Sequence, residues 1–303
     1  MTRGVVLHGT GGTWHVQCEN GEAVVAALRG HIKHRGNIKL AVGDAVMLRR
    51  EGPGSGWHIE EILPRRSKLT RASPGRSKIE RVIAANMDQV VVVFALRQPE
   101  PHVAMLDRFL VIAEANGLAG RVVVNKVDLA DEGEARRLFA TYETIGYPLH
   151  ITSCRTAYGL ETLREQLRGR TSVITGPSGV GKSSLLNALY PGLGLRVGEI
   201  SASVNKGRHT TVGAFLHPLP DGAFVVDTPG LREVGLWGVP SAGLDSCFPE
   251  FRALRDQCRF ADCSHLIEPD CAVREALKGG SVDATRYASY VKLMDEAEQA
   301  EKY

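Results

Sequence analysis

The chain has 303 residues, of which 43% are hydrophobic and 23% charged. This is the balance of an ordinary globular protein, long enough for two or three compact domains. No apolar run approaches the roughly 20 residues that cross a bilayer, which excludes a membrane-spanning helix. Net charge is only +3, yet thirteen Lys/Arg stand against five Asp/Glu between Arg29 and Arg81, and a basic stretch on a near-neutral chain points to a polyanionic partner such as RNA or DNA.

The opening Met1-Thr2-Arg3-Gly4 lacks the apolar core of a secretory signal, so a cytoplasmic protein is expected. From Arg3 to Leu63 short β-like runs (Gly4–Leu7, Thr13–Cys18, Ala23–Leu28, Asp44–Leu48) alternate with glycine-marked turns. Five or so strands in about sixty residues suit a small all-β barrel of the OB kind, a fold that often binds nucleic acid. Pro64 to Arg81 is basic and broken by Ser, Pro and Gly; it reads as a linker or as an arm that orders on RNA.

The periodicity then changes. Asp88–Leu96 is a continuous apolar run, as in a buried parallel strand. Helical spacing over Leu106–Ala115 and near 132–145 and 160–168 alternates with strands at Arg121–Val124, Leu149–Thr152 and Ser172–Thr175. This alternation predicts a doubly wound α/β domain with a parallel sheet. A small Cys/His-bearing domain follows at about 232–280. A helix is expected over Ser281–Glu301, with Tyr287, Tyr290, Val291 and Met294 on one face. There is no internal repeat and no low-complexity tract.

Gly176-Pro177-Ser178-Gly179-Val180-Gly181-Lys182-Ser183 fits G-x-x-x-x-G-K-[ST] between a predicted strand and a predicted helix that runs from Ser184 to Leu189. The glycines let backbone N–H groups converge on phosphate oxygens, and the helix N-terminus adds positive potential. Lys182 would meet the outer phosphates, and the Ser183 hydroxyl would ligate Mg²⁺.

Asn125-Lys126-Val127-Asp128 directly follows the strand Arg121–Val124. An Asp here accepts from the ring N–H and exocyclic amine of guanine. Adenine offers no matching pair and would leave a carboxylate unpaired, at a cost. Asn125 would brace the loops and the Lys126 stem would lie over the base. Ser153-Cys154, at the next strand end, would present the Cys154 N–H to the guanine carbonyl. Asp227-Thr228-Pro229-Gly230 fits D-x-x-G, with Asp227 reaching Mg²⁺ through water and the Gly230 N–H sensing the γ-phosphate. Lys206-Gly207-Arg208-His209-Thr210-Thr211 stands in the place of the first switch loop. Thr210 or Thr211 would complete the Mg²⁺ shell, with Thr211 the candidate ligand. The usual Gln after D-x-x-G is replaced by Leu231, which cannot orient water. A slow intrinsic rate is therefore expected. His209 is the candidate water-positioning group, unless it only shapes the loop or binds RNA; with Lys182 and Asp227 it makes up the candidate catalytic set.

The base-reading segments at 125–128 and 153–154 precede the phosphate loop, so the domain reads as circularly permuted. The segment 227–230 then leads into the Cys/His domain, which γ-phosphate sensing could move. Cys258-x4-Cys263-x-His265-x5-Cys271 offers three thiolates and one imidazole, the closed ligand set of a structural Zn²⁺. Cys18, Cys154 and Cys247 are isolated.

These motifs resemble one family, the circularly permuted, ribosome-associated GTPases called RsgA (YjeQ or YloQ). The resemblance runs over nearly the whole chain: the OB-like start, Asn86-Met87-Asp88-Gln89, Asn125–Asp128, Gly176–Ser183, Gly207–Thr211, Asp227–Gly230 and the Cys/His cluster. It implies a GTPase that acts late in maturation of the small ribosomal subunit and is stimulated by it. The implied partners are that subunit, its rRNA and GTP/GDP with Mg²⁺, with no membrane and a monomeric chain. The expected domains are 1–66 (OB-like, RNA-binding), 67–231 (permuted P-loop GTPase) and 232–303 (zinc-binding, with a C-terminal helix). The competing reading is an RNA-binding assembly scaffold with little turnover.

Overall fold

The structure is a computed structural model that describes residues 1–29, 39–52, 54–72, 80–195, 214–227 and 239–302. Five strands open the chain: β1 (Thr2–Thr10), β2 (Thr13–Cys18), β3 (Ala23–Leu28), β4 (Ala45–Arg50) and β5 (Trp57–Ile62). Alternate residues Val6, Val16, Val24, Ala26, Val46, Leu48 and Ile59 turn inward and are buried together. The sheet closes on itself in the order β1-β2-β3-β5-β4, the barrel expected for an OB-like domain.

The basic segment after the barrel departs from the expected linker. β6 (Lys68–Ala72) and β7 (Glu80–Ala85) pair as an antiparallel hairpin. Its apolar positions Leu69 and Ala84 are buried in the core of the sheet that follows, and this burial orders a segment whose composition looks like a connection. The turn after it is tied down too. Asn86 accepts from the Arg66 N–H at 2.8 Å and donates to the Gly43 carbonyl at 2.9 Å, joining barrel, hairpin and sheet.

A six-stranded sheet follows in the order β10-β9-β8-β11-β13-β12. Its strands are β8 (Gln89–Ala95), β9 (Ala119–Asn125), β10 (Leu149–Ile151), β11 (Thr171–Thr175), β12 (Phe215–Pro218) and β13 (Phe224–Asp227). All pairings are parallel except β12 with β13. β8 is buried on both faces. Val90, Val92 and Phe94 pack with helices α1 (Val103–Ala115) and α2 (Glu132–Thr144). Val91, Val93 and Ala95 pack with α3 (Leu160–Leu167) and α4 (Lys182–Leu189). A strand buried on both sides reads as an unbroken apolar run for this reason.

The C-terminal helices α5 (Pro249–Arg255), α6 (Ala272–Lys278) and α7 (Ala284–Glu301) share a core that includes Val111 of α1. The face of α7 differs from expectation. Tyr290 and Met294 are buried, but so are Arg286 and Leu293, while Val291 is exposed. The apolar face is rotated because Arg286 turns inward. Its guanidinium donates to Asp107 Oδ1 at 2.7 Å and to Glu250 at 2.8 and 3.1 Å. Burial disfavours the charge, but the Glu250 hydrogen bonds and the Asp107 charge outweigh it and hold the guanidinium above its ordinary pKa.

Candidate nucleotide-binding site and metal centre

The loops after β8, β9, β10 and β11 all lie at the carboxyl ends of parallel strands, the place where open α/β sheets bind ligands. The β11 loop turns sharply into α4. Gly176 takes φ 135°, and a Cβ there would overlap the Val93 carbonyl oxygen. Gly181 takes φ 94°, and a Cβ would meet Asn125 Nδ2 at 2.7 Å. Both positions require glycine for conformation and for close approach. Lys182 and Ser183 open α4 and are buried. Lys182 Nζ donates to the carbonyls of Gly176 at 2.8 Å and Pro177 at 2.6 Å, so its charge sits at the mouth of the loop. Pro177 and Ser184 are half-buried, Ser178 and Gly179 exposed, and Val180 packs into the core below.

Asn125 ends β9 beside this loop and bonds to both neighbours. Its Nδ2 donates to the Val180 carbonyl at 3.0 Å, and its Oδ1 accepts from Thr152 Oγ1 at 3.3 Å. Lys126, in the left-handed region at φ 62°, sends Nζ to the Gly179 carbonyl at 2.7 Å and to the Gln98 carbonyl. Asp128 Oδ1 accepts from Ser153 Oγ at 2.6 Å, which orients the half-buried carboxylate. Cys154 is half-buried, its Sγ 3.6 Å from Asn125 Oδ1, and burial pushes its thiol pKa up. Asn125 and Lys126 are thus bonded to Val180 and Gly179 of the loop, Cys154 to Asn125, Asp128 to Ser153, and Lys182 to Gly176 and Pro177. The Gln98 carbonyl and Thr152 were not foreseen: the first acts through its backbone, and the second is one residue before the expected pair.

Asp227 is the last residue of β13, parallel to β11, where only its backbone is described. His209, Thr210, Thr211, Gly230 and Leu231 lie outside the described residues.

The four expected metal ligands converge. Their donor atoms lie within 4.8 Å of one another. His265 Nδ1 is 3.6 Å from Cys258 Sγ and 3.4 Å from Cys271 Sγ, and the two sulfurs are 4.0 Å apart. A tetrahedral ion with sulfur at about 2.3 Å and nitrogen at about 2.0 Å separates its ligands by about 3.5–3.8 Å, so the donor set fits a metal ion. Burial pushes the Cys263 thiol up to about 12, with the neighbouring Cys271 and Cys258 adding to the rise. The loop is held from several sides. Glu268 accepts from the Ser264 N–H at 2.8 Å and hydroxyl at 2.6 Å, and from the Leu266 and Ile267 N–H groups at 3.1 Å. Tyr287 and Tyr290 donate to the carbonyls of His265 and Ser264. His265 Nε2 faces Asp245 Oδ2 at 3.5 Å, the placement of an acidic partner that orients a metal-bound imidazole. Asp245 was not foreseen, because it lies 20 positions upstream with no motif of its own.

A G-x-x-x-x-G-K-S loop at the centre of the sheet, bonded to an N-K-x-D loop that comes earlier in the chain, defines the class: a circularly permuted P-loop GTPase with a barrel before it and a Cys/His cluster after it. The RsgA GTPase family matches residues 62–237. A relative from Gemmatimonas aurantiaca, named small ribosomal subunit biogenesis GTPase RsgA, is 58% identical over 298 residues, covering 97% of each chain. A Bacteroides fragilis protein of the same name is 36% identical over 98% of this chain and 97% of its own. Among solved structures, YjeQ from Thermotoga maritima superposes with TM-score 0.80 at 37% identity, covering 98% of each chain. YloQ, described as a circularly permuted GTPase, gives 0.78 at 29%, covering 99% of this chain and 96% of its own. The chain belongs to the RsgA GTPase family.

Proposed function

We propose that the protein hydrolyses GTP to GDP and phosphate during late maturation of the small ribosomal subunit, in the cytoplasm and as a monomer, and that the subunit and its rRNA stimulate turnover. The relatives' names give the particle. The observation that carries the chemistry is the Asn125–Val180 hydrogen bond, which ties the base-reading loop to the phosphate loop across 55 positions of chain. The proposed domains are a barrel over 1–66 that meets RNA, a GTPase domain over 67–231 and a zinc-binding domain over 232–303.

In this reading Asp128, fixed by Ser153, accepts the two guanine N–H groups, and the Cys154 N–H donates to the guanine carbonyl. Backbone N–H groups of 176–183 surround the phosphates, beside Ser184. Lys182 exchanges its loop carbonyls for outer phosphate oxygens. Ser183 and Thr211, with Asp227 through water, are the groups that would hold Mg²⁺, which neutralises developing phosphate charge when bound. Thr210 is the alternative Mg²⁺ ligand, and the Gly230 N–H would sense the γ-phosphate. Leu231 cannot position water, so His209 is assigned that task in the presence of the subunit. Cys258, Cys263, His265 and Cys271 hold a structural Zn²⁺ that closes the C-terminal fold.

Two measurements test this reading. GTP should displace bound GDP while a 100-fold excess of ATP does not; equal competition would remove the guanine assignment. His209→Ala should abolish subunit-stimulated phosphate release with nucleotide affinity unchanged. Full stimulated turnover in that variant would return His209 to a loop-shaping role, and no phosphate release even with wild-type protein and subunits would select a scaffold.

A further inference from the structure

Among the described residues the barrel meets the GTPase sheet through β1, where Val5 and Leu7 pack on the sheet's core, and through the turn before β4. His8, near the end of β1, packs against Phe215 of β12 with ring centroids 5.0 Å apart, and the turn before β4 bonds to Ala85 and Asn86. Thr2, at the other end of β1, lies about 20 Å away along the strand. There the far ends of β1, β4 and β5 surround an open groove of about 510 Å³ lined by Met1, Thr2, Leu48, Arg49, Arg50 and Trp57.

The chemistry of this groove is specific. Arg50 and Trp57 are direct cross-strand partners, on the same side of the sheet as the inward-facing Leu48 and Ile59. The Arg50 guanidinium lies 5.9 Å from the indole centroid and is steadied by a 3.0 Å hydrogen bond from its Nε to the Ser55 carbonyl. Trp57 is half-buried against the barrel core, which fixes its ring while part of it stays open. Arg49 is exposed and makes no ion pair among the described residues. The lining carries two guanidinium groups, an indole and no carboxylate. A fixed aromatic platform beside unpaired cations is suited to a flat ring carried on an anionic backbone, because base stacking and phosphate attraction are then met at once.

We infer that this groove receives an unstacked base of single-stranded RNA, its ring on Trp57 and its flanking phosphates on Arg49 and Arg50. The inference rests on the proposed work on an RNA particle and adds the form of RNA that the barrel selects. A duplex keeps its bases stacked inside and cannot offer a ring to the indole.

The test uses the full chain and labelled ten-nucleotide RNAs in an anisotropy titration. Oligoadenylate should bind at least about 10-fold tighter than an abasic strand of the same length or a duplex. Trp57→Ala should weaken oligoadenylate binding about 10-fold, with Trp57→Phe keeping most of the affinity. Arg49→Gln/Arg50→Gln should lower the salt dependence by about 1.4 in log–log slope. Should Trp57→Ala fail to fold by circular dichroism, the phenylalanine and arginine variants and the abasic strand decide alone. Equal affinity for the abasic strand, wild-type binding by the double arginine variant, or tighter binding of an oligoglutamate peptide would each overturn the assignment. GTP turnover of the free chain should be the same in all these variants, so failure of the groove is distinguishable from failure of the GTPase reading.

Discussion

Replacing Arg286 by methionine removes the cation shared by Asp107 and Glu250 and leaves two buried carboxylates behind. Arg286 and Asp107 are 1% and 0% exposed, so water cannot take over. Asp107 would keep only the Tyr142 hydroxyl, 2.6 Å from Oδ1, and its Oδ2 already has no partner. Breaking a buried pair by removing one member costs about 3–5 kcal/mol, to which the lost contact of the guanidinium with the Phe248 ring, 4.6 Å to the centroid, adds. For a cooperative unit of this size that is a fall of about 10 °C in melting temperature. The assay is calorimetric melting of wild type and Arg286→Met, with hydrogen exchange along α1 and α7. The triple variant Arg286→Met/Asp107→Leu/Glu250→Met should recover most of the loss, since an apolar replacement of a whole buried network is often neutral. A shift below about 2 °C in the single variant, or a triple variant worse than the single, would refute the claim that this network clamps the C-terminal domain to α1.

Other outcomes follow from the remaining sites. Ser153→Ala should weaken GDP binding about 10-fold by calorimetry, through loss of a hydrogen bond to a charged acceptor; unchanged affinity would mean that Ser153 does not organise Asp128. Elemental analysis should find one zinc per chain, lost in Cys271→Ser with a lower melting temperature and unchanged GDP affinity, and metal retained in that variant would break the ligand assignment. His150 is pushed down to about 4, first by burial and then by Arg121. Between about pH 6.5 and 4 the unfolded chain therefore binds a proton that the fold refuses, so stability falls as pH falls through that window. Discounted for partial exposure, the effect at pH 5 is about 1 kcal/mol, read as a smaller acid-induced drop in urea midpoint for His150→Asn. An identical drop in both proteins would contradict it.

How much of this was legible in the sequence depends on whether a residue acts locally. The phosphate loop is a contiguous string whose glycines are required by its own backbone, and β8 announces double burial by having no polar position between Val90 and Phe94. β5 is harder, because Glu60 and Glu61 interrupt its alternation. β12 is four residues ending in proline and takes its identity from pairing with β13. The β6–β7 hairpin reads as a linker because its order comes from Leu69 and Ala84 entering a core built by residues later in the chain. The buried face of α7 departs from the expected one for the same reason. A charge on a helix belongs to the solvated face unless carboxylates wait for it, and Asp107 lies 179 positions away. The Cys/His cluster was legible as a set that could hold a metal ion, but Asp245, 3.5 Å from His265 Nε2, was not, since that approach exists only once the loops have folded together.

The most direct measurement is the rate of GTP hydrolysis by the purified chain, alone, with small ribosomal subunits and with large ones. With Leu231 in place of a water-positioning glutamine, the free chain should turn over slowly. Small subunits should raise the rate by at least about 10-fold, large subunits should not, and Lys182→Ala should remove the rise. A rate that is the same in all three mixtures, or that large subunits raise equally, would contradict the account.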